Sequence, residues 1–177
     1  EPSVLAETVE DQLVRADVLI TTGGLSIGRG DAVEDVLTPL GPVRFDAVAM
    51  TPGRRLGVGT VESTPIFCLP GDPVSAQIAF ETFVRPAVRQ IAGRRELHRS
   101  CLPASISTGW HSPPEKREFV PVRLTGSPSR GYTAEPTSPP GTTRLLGLAR
   151  ANAIAIVPET TCTVVAGDVL RCLLLDA

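Results

Sequence analysis

Apolar side chains recur at helical spacing near the start of the chain, with Val4, Leu5, Val9, Leu13 and Ala16 following Ser3, a residue able to cap a helix. A helix is therefore expected over residues 2–16, with no strand before it. Asp17–Thr22 (DVLITT) is instead a short, continuous apolar and β-branched run stopped by Gly23-Gly24. That pattern suits a strand buried on both faces of a parallel sheet. Asp31 then opens AVEDVLTPLG, where Val33, Val36, Leu37 and Leu40 share one side and Gly41-Pro42 stops the repeat. This predicts a second helix leading into a strand from Val43 to Met50.

Thr51-Pro52-Gly53-Arg54-Arg55 reads as a turn, and residues 56–61 (LGVGTV) and 65–69 (PIFCL) as two further strands. Glycines in the first of these predict close backbone approach or a sheet edge. From Pro73 to Ala92 one helical face carries Val74, Ile78, Phe83 or Val84, Ala87 or Val88, and Ile91, ended by Gly93, with a kink expected at Pro86. Beyond Gly93 the texture changes: a charged GRRELHR stretch gives way to proline-rich sequence with short alternating runs such as Phe119–Leu124 and a final strand over Asp168–Leu175. The expected architecture is an α/β domain over residues 1–93 with a mostly parallel three-layer sheet, followed by a small all-β domain over residues 99–177.

Composition narrows the function classes. Seventeen basic and nineteen acidic residues give a formal charge of -2, which favours neither a nucleic acid nor a membrane surface, so an anionic ligand is expected to be small. No apolar stretch approaches the roughly 18 residues of a membrane span. Cys68, Cys101, Cys162 and Cys172 form no CxxC pair and lie far in sequence from His98 and His111, so mostly buried, reduced thiols in a cytoplasmic protein are expected. The chain opens on Glu1-Pro2 rather than methionine, which suggests part of a longer protein.

Connections leaving strand ends of an α/β sheet gather on one rim, where ligands bind. Two loops qualify. Thr21–Asp31 (TTGGLSIGRGD) offers glycines whose backbone N–H groups can approach an anion, and Asp31, which can either cap the following helix or hold Mg²⁺ against phosphate oxygens. Cys68–Ala76 (CLPGDPVSA) places Asp72 as N-cap and Pro73 as first helical residue, so the N-terminus of that helix is either simply capped or an anion site. Arg54 and Arg55 stand on a third turn. Gly24-Leu25-Ser26-Ile27-Gly28 also fits the G-x-S-x-G elbow of serine hydrolases, but Gly28 and Gly30 delay the helix that an elbow enters at once.

Taken in order and spacing, TTGGLSIGRGD, TPGRR, LPGDPVSA and LARANAIAIVPE resemble the molybdopterin molybdenumtransferase family, called MoeA in bacteria and related to the gephyrin E domain. The resemblance implies an enzyme of molybdenum cofactor biosynthesis. It would insert molybdate into adenylylated molybdopterin and release AMP with Mg²⁺, as a homodimer whose partner subunit completes the site. On that resemblance the ligand-binding residues are Thr22, Gly23, Gly24, Ser26, Gly28, Pro70, Gly71, Asp72, Pro73 and Ser75. Asp31 and Arg54 are implied as catalytic, with Asp31 also the metal ligand. Three departures from the family stand out: Thr51 replaces a lysine, Asp72 an asparagine, and Leu146-Gly147 a serine pair. The family also carries a strand and two domains upstream of what is present here. A non-catalytic molybdopterin-binding or scaffold module is the alternative, and a serine hydrolase the remoter one.

Overall fold

The computed structural model describes residues 2–25 and 33–175, and its chain divides into two compact units. The first comprises residues 1–48 and 53–93, and the second residues 49–52 and 94–177.

In the first unit, α1 (Pro2–Leu13), β1 (Leu19–Thr22), α2 (Val33–Leu37) and β2 (Val43–Ala47) precede β3 (Met50–Thr51), a short strand that belongs to the second unit. The chain then returns as β4 (Arg55–Val61) and β5 (Thr64–Leu69), followed by α3 (Pro73–Ala79), one π-helical turn (Phe80–Val84) and α4 (Arg85–Ile91). The four strands lie in the order β1-β5-β4-β2. Val9 from α1, Leu37 from α2, and Val43, Val61, Ile66 and Cys68 from the sheet form one buried cluster. Side chains alternate along a strand, so Phe67 and Leu69 point to the opposite face.

The sheet is mixed, not mostly parallel. Only β1 and β5 pair in parallel, while β5–β4 and β4–β2 are antiparallel. Two residues, Glu62 and Ser63, join β4 to β5. So short a link can only make a hairpin, whereas a parallel pair needs a crossover of about a dozen residues or more. β1 also departs from expectation, because its residues alternate between half-buried and exposed instead of being buried on both faces. β4 is an interior strand, so its glycines serve close approach: a Cβ on Gly59 would lie 2.3 Å from the Pro42 carbonyl oxygen. The strand expected over Val43–Met50 is broken after Ala47.

Pro86 lacks the N–H that would bond the Thr82 carbonyl in an α-helix. The turn directly before α4 is wound as π-helix, the kind of local irregularity that absorbs such a gap. Asp72 caps α3: its Oδ1 accepts from the Ser75 N–H and from the Ser75 hydroxyl, both at 2.8 Å.

The second unit adds β6 (Cys101–Ile106), β7 (Trp110–His111), β8 (Arg117–Ser127), β9 (Gly131–Pro136), α5 (Leu145–Arg150), β10 (Ala153–Val157), β11 (Thr163–Val164) and β12 (Val169–Leu174). Strand order is β10-β12-β6-β9-β8-β3, and β10 also pairs with β8, which closes five strands into a ring with β3 attached outside it. Its interior takes alternate residues, among them Val120, Val122 and Leu124 of β8, together with Ala104, Ala134, Ala153 and Ala155. Small side chains suit so narrow a barrel. Asn152 pins the closure, accepting the Leu124 N–H at 2.7 Å and donating to the Leu124 carbonyl at 3.0 Å. Glu118, fully buried, accepts from the Trp110 indole N–H at 2.8 Å and ties β7 to the ring. Two of the four free cysteines, Cys68 and Cys172, are buried, whereas Cys162 is exposed. Among the described residues no helix is long and apolar enough to cross a membrane.

Candidate functional site

Three loops of the first unit meet because of strand direction. β1 and β5 run parallel with Thr22 opposite Leu69, so the glycine loop and the Pro70-Gly71 turn leave the sheet at the same level. β4 runs antiparallel to β5, with Gly57 opposite Cys68, so the start of β4 lies on that rim and brings Gly53, Arg54 and Arg55 with it. Ala47 ends β2 opposite Arg55. Together these segments enclose a cavity of about 510 Å³.

The loops approach each other through backbone. Gly23 N–H donates to the Leu69 carbonyl at 2.9 Å, and a Cβ on Gly71 would come within 3.1 Å of the Gly23 Cα. Gly53, at φ +89, faces the first turn of α3, where an added Cβ would sit 3.1 Å from the Ser75 carbonyl oxygen. Gly23 and Gly24 both hold positive φ, which L-residues rarely adopt.

Gly23, Gly24, Arg54, Pro70, Gly71 and Ser75 therefore line one cavity. Thr22, Asp72 and Pro73 do not line it. Asp72 is turned toward Ser75, so the expected helix N-terminus already carries a carboxylate on the Ser75 N–H. Ser26, Gly28 and Asp31 lie outside the described residues. Leu25 and Ala47 line the cavity without having drawn notice in the sequence. Both are apolar and carry no chemical signal, and only the β2–β4 register would have placed Ala47 beside Arg55.

Electrostatically the lining is cationic. Arg54 is exposed, and Arg55 pairs with Glu34 of α2. Among the described residues no carboxylate lines the cavity, and no cluster of His, Cys, Asp or Glu could hold a metal. Beneath the rim, burial raises the Cys68 thiol above its ordinary range, and the Thr21 hydroxyl, too poorly placed for a full hydrogen bond, offsets this only in part. Cys68 is thus a protonated, inert thiol at neutral pH. Guanidinium groups and glycine-loop backbone around an open cavity equip the site to hold a small oxyanion, whereas the Ser75 hydroxyl gives its proton to Asp72.

Comparison with known proteins supplies the family. The description "Probable molybdopterin binding domain" matches residues 1–90, and "MoeA C-terminal region (domain IV)" matches residues 103–175. The chain belongs to the MoeA family. This MoeA-family chain is 37% identical over 164 residues to molybdopterin molybdenumtransferase 2 of Mycobacterium tuberculosis, covering 89% of the chain and 40% of the relative. Molybdopterin molybdenumtransferase 1 of the same organism is 32% identical over 176 residues, covering 96% of the chain and 41% of the relative. A crystal structure of a molybdopterin biosynthesis MoeA protein from Pyrococcus horikosii superposes with a TM-score of 0.80 at 25% identity, over 98% of this chain and 41% of that one. The chain thus spans about two fifths of the length of these relatives. The serine hydrolase alternative is not favoured by these relatives. Gly24 belongs to the first unit, while His98 and His111 belong to the second, where His111 sits in β7 opposite Thr163.

Proposed function

We propose that the chain contributes the pterin phosphate site of a molybdopterin molybdenumtransferase, which inserts molybdate into adenylylated molybdopterin with release of AMP. One observation carries this reading: three loops of the molybdopterin-binding domain meet around a cavity lined by two arginines and three positive-φ glycines. The names of the relatives supply the transfer of molybdenum to molybdopterin, and the adenylylated substrate and release of AMP follow from the resemblance of the motifs. Catalysis by such a site is electrostatic, since donors held in place favour the oxygens of a phosphoryl group as charge shifts onto them. Arg54 has that role here, with Gly23, Gly24 and Gly71 letting backbone approach the ligand.

The described lining does not by itself fit Mg²⁺, a hard cation that takes carboxylate oxygens. In this reading the metal is left to Asp31 together with phosphate oxygens of the substrate. The homodimer and a cytoplasmic location belong to the same proposal for the whole protein.

Titration of the protein with molybdopterin, followed by pterin fluorescence, tests the reading. Arg54→Ala is expected to raise Kd about tenfold, the loss of one charge-assisted contact, with an unchanged unfolding temperature. Equal affinity of variant and wild type would sink it. A full-length protein that binds adenylylated molybdopterin and never releases AMP would move the assignment to a binding module.

A further inference from the structure

We infer that Arg55 is a second oxyanion-binding residue of this cavity, parked on Glu34 and recruited when a tetrahedral oxyanion enters. The inference rests on the reading above, in which the cavity takes an anionic ligand. Arg54 accounts for the charge of the site. Arg55 accounts for a different observation.

Arg55 lines the cavity, and among the described residues its guanidinium is held at one end, where Nη2 donates to Glu34 Oε2 of α2. Its Nε–H is buried and has no acceptor among the described residues. A buried donor without a partner is costly, whereas an ion pair between half-exposed side chains, 38% and 46% here, contributes little. The parked arrangement is therefore poorly paid in bonds. A modest rotation that gives Nε–H and one Nη–H to two oxygens of a ligand satisfies the orphan donor and exchanges one carboxylate partner for another anion.

That pair of parallel donors is a fork specific to arginine, matched to two oxygens of a phosphate monoester or of a free tetraoxyanion such as molybdate. Lysine keeps the charge and loses the fork. Glu34 also neutralises Arg55 while the cavity is empty, which avoids two adjacent uncompensated cations on the rim beside the exposed Arg54. Division of labour follows: Arg54 attracts, and Arg55 orients.

The test is calorimetric titration of the protein with inorganic phosphate, with molybdate and with phenyl phosphate, alongside thermal unfolding. Arg55→Lys and Arg55→Gln are expected to weaken binding about tenfold or more with little change in unfolding temperature. A loss confined to molybdate assigns Arg55 to the free tetraoxyanion, and a loss shared by phenyl phosphate assigns it to the ester. Wild-type affinity in Arg55→Lys overturns the inference. Glu34→Gln breaks the ion pair and leaves Nε–H in place, so its affinity is expected to equal or exceed wild type, one opposing charge having been removed. A loss in Glu34→Gln as large as in Arg55→Lys would show that Arg55 acts only through its ion pair, and would also overturn the inference. If Arg54→Ala weakens binding while Arg55→Lys does not, this inference fails and the proposed function stands; if the wild-type protein binds none of the three anions, both fail.

Discussion

Asp72 spends one carboxylate oxygen on two hydrogen bonds from Ser75, and both bonds survive replacement by asparagine, whose amide oxygen accepts equally well. The negative charge does not survive it. Ser75 lines the cavity, so that charge stands one residue contact behind the lining and opposes any anion there. Asp72→Asn is therefore expected to leave the unfolding temperature within about a degree and to tighten phosphate binding roughly threefold in metal-free buffer. Calorimetry with inorganic phosphate checks this, and unchanged or weaker affinity would count against the charge argument. The Asp-Pro dipeptide made the cap legible in the sequence. Whether the carboxylate turned inward to Ser75 or outward to a ligand depended on a rotamer, which no local pattern encodes.

At the scale of elements, strand positions could be read from β-branched runs, and the short link between the strands expected over 56–61 and 65–69 already required an antiparallel pair, which the expectation of a mostly parallel sheet overlooked. The hairpin through Glu62 and Ser63 reverses β4, and that reversal makes the sheet mixed and carries Arg54 and Arg55 to the rim. Both arginines were visible in the sequence as a third turn, yet their meeting with the glycine loop followed only from the reversal. Close backbone approach at Gly59 gives this scale its prediction. A methyl group there would press on the Pro42 carbonyl at 2.3 Å and the Val43 Cα at 2.5 Å, both of them backbone atoms that cannot rotate away. Gly59→Ala is expected to cost about 2–4 kcal/mol, read from the urea midpoint. A loss below about 0.5 kcal/mol would mean that β2 and β4 slide apart freely.

For the molecule as a whole, the change of texture after Gly93 set the expectation of two parts, and the alternation of Val120, Val122 and Leu124 matches the β interior of the second unit. Closure into a ring was not legible, because it rests on β8 pairing with strands from both sides at different points of its length. Inside that ring, burial and then the neighbouring Cys101 push the Cys172 thiol from 9.0 up to about 11. Below pH 9 the thiol is protonated in folded and unfolded chains alike, so its contribution is intact there. Between about pH 9 and 11 the unfolded chain sheds the proton while the folded chain keeps it, and stability falls as pH rises. Thermal unfolding across that range is expected to decline more steeply for wild type than for Cys172→Ala, whatever the offset from the lost side chain. Parallel declines would remove Cys172 from the account.

β3 has a bearing on how such a chain can be divided in evolution. Residues 49–52 leave the first unit, lend two residues to an edge of the other sheet beside Arg117 and Glu118, and return. The backbone thus passes between the units three times, at 48/49, 52/53 and 93/94. A gene split after Gly93 would strip one sheet of its outer strand and leave the other unit trailing an orphan tetrapeptide, so shuffling the two units as separate exons or subunits carries a structural cost that a single linker would not impose.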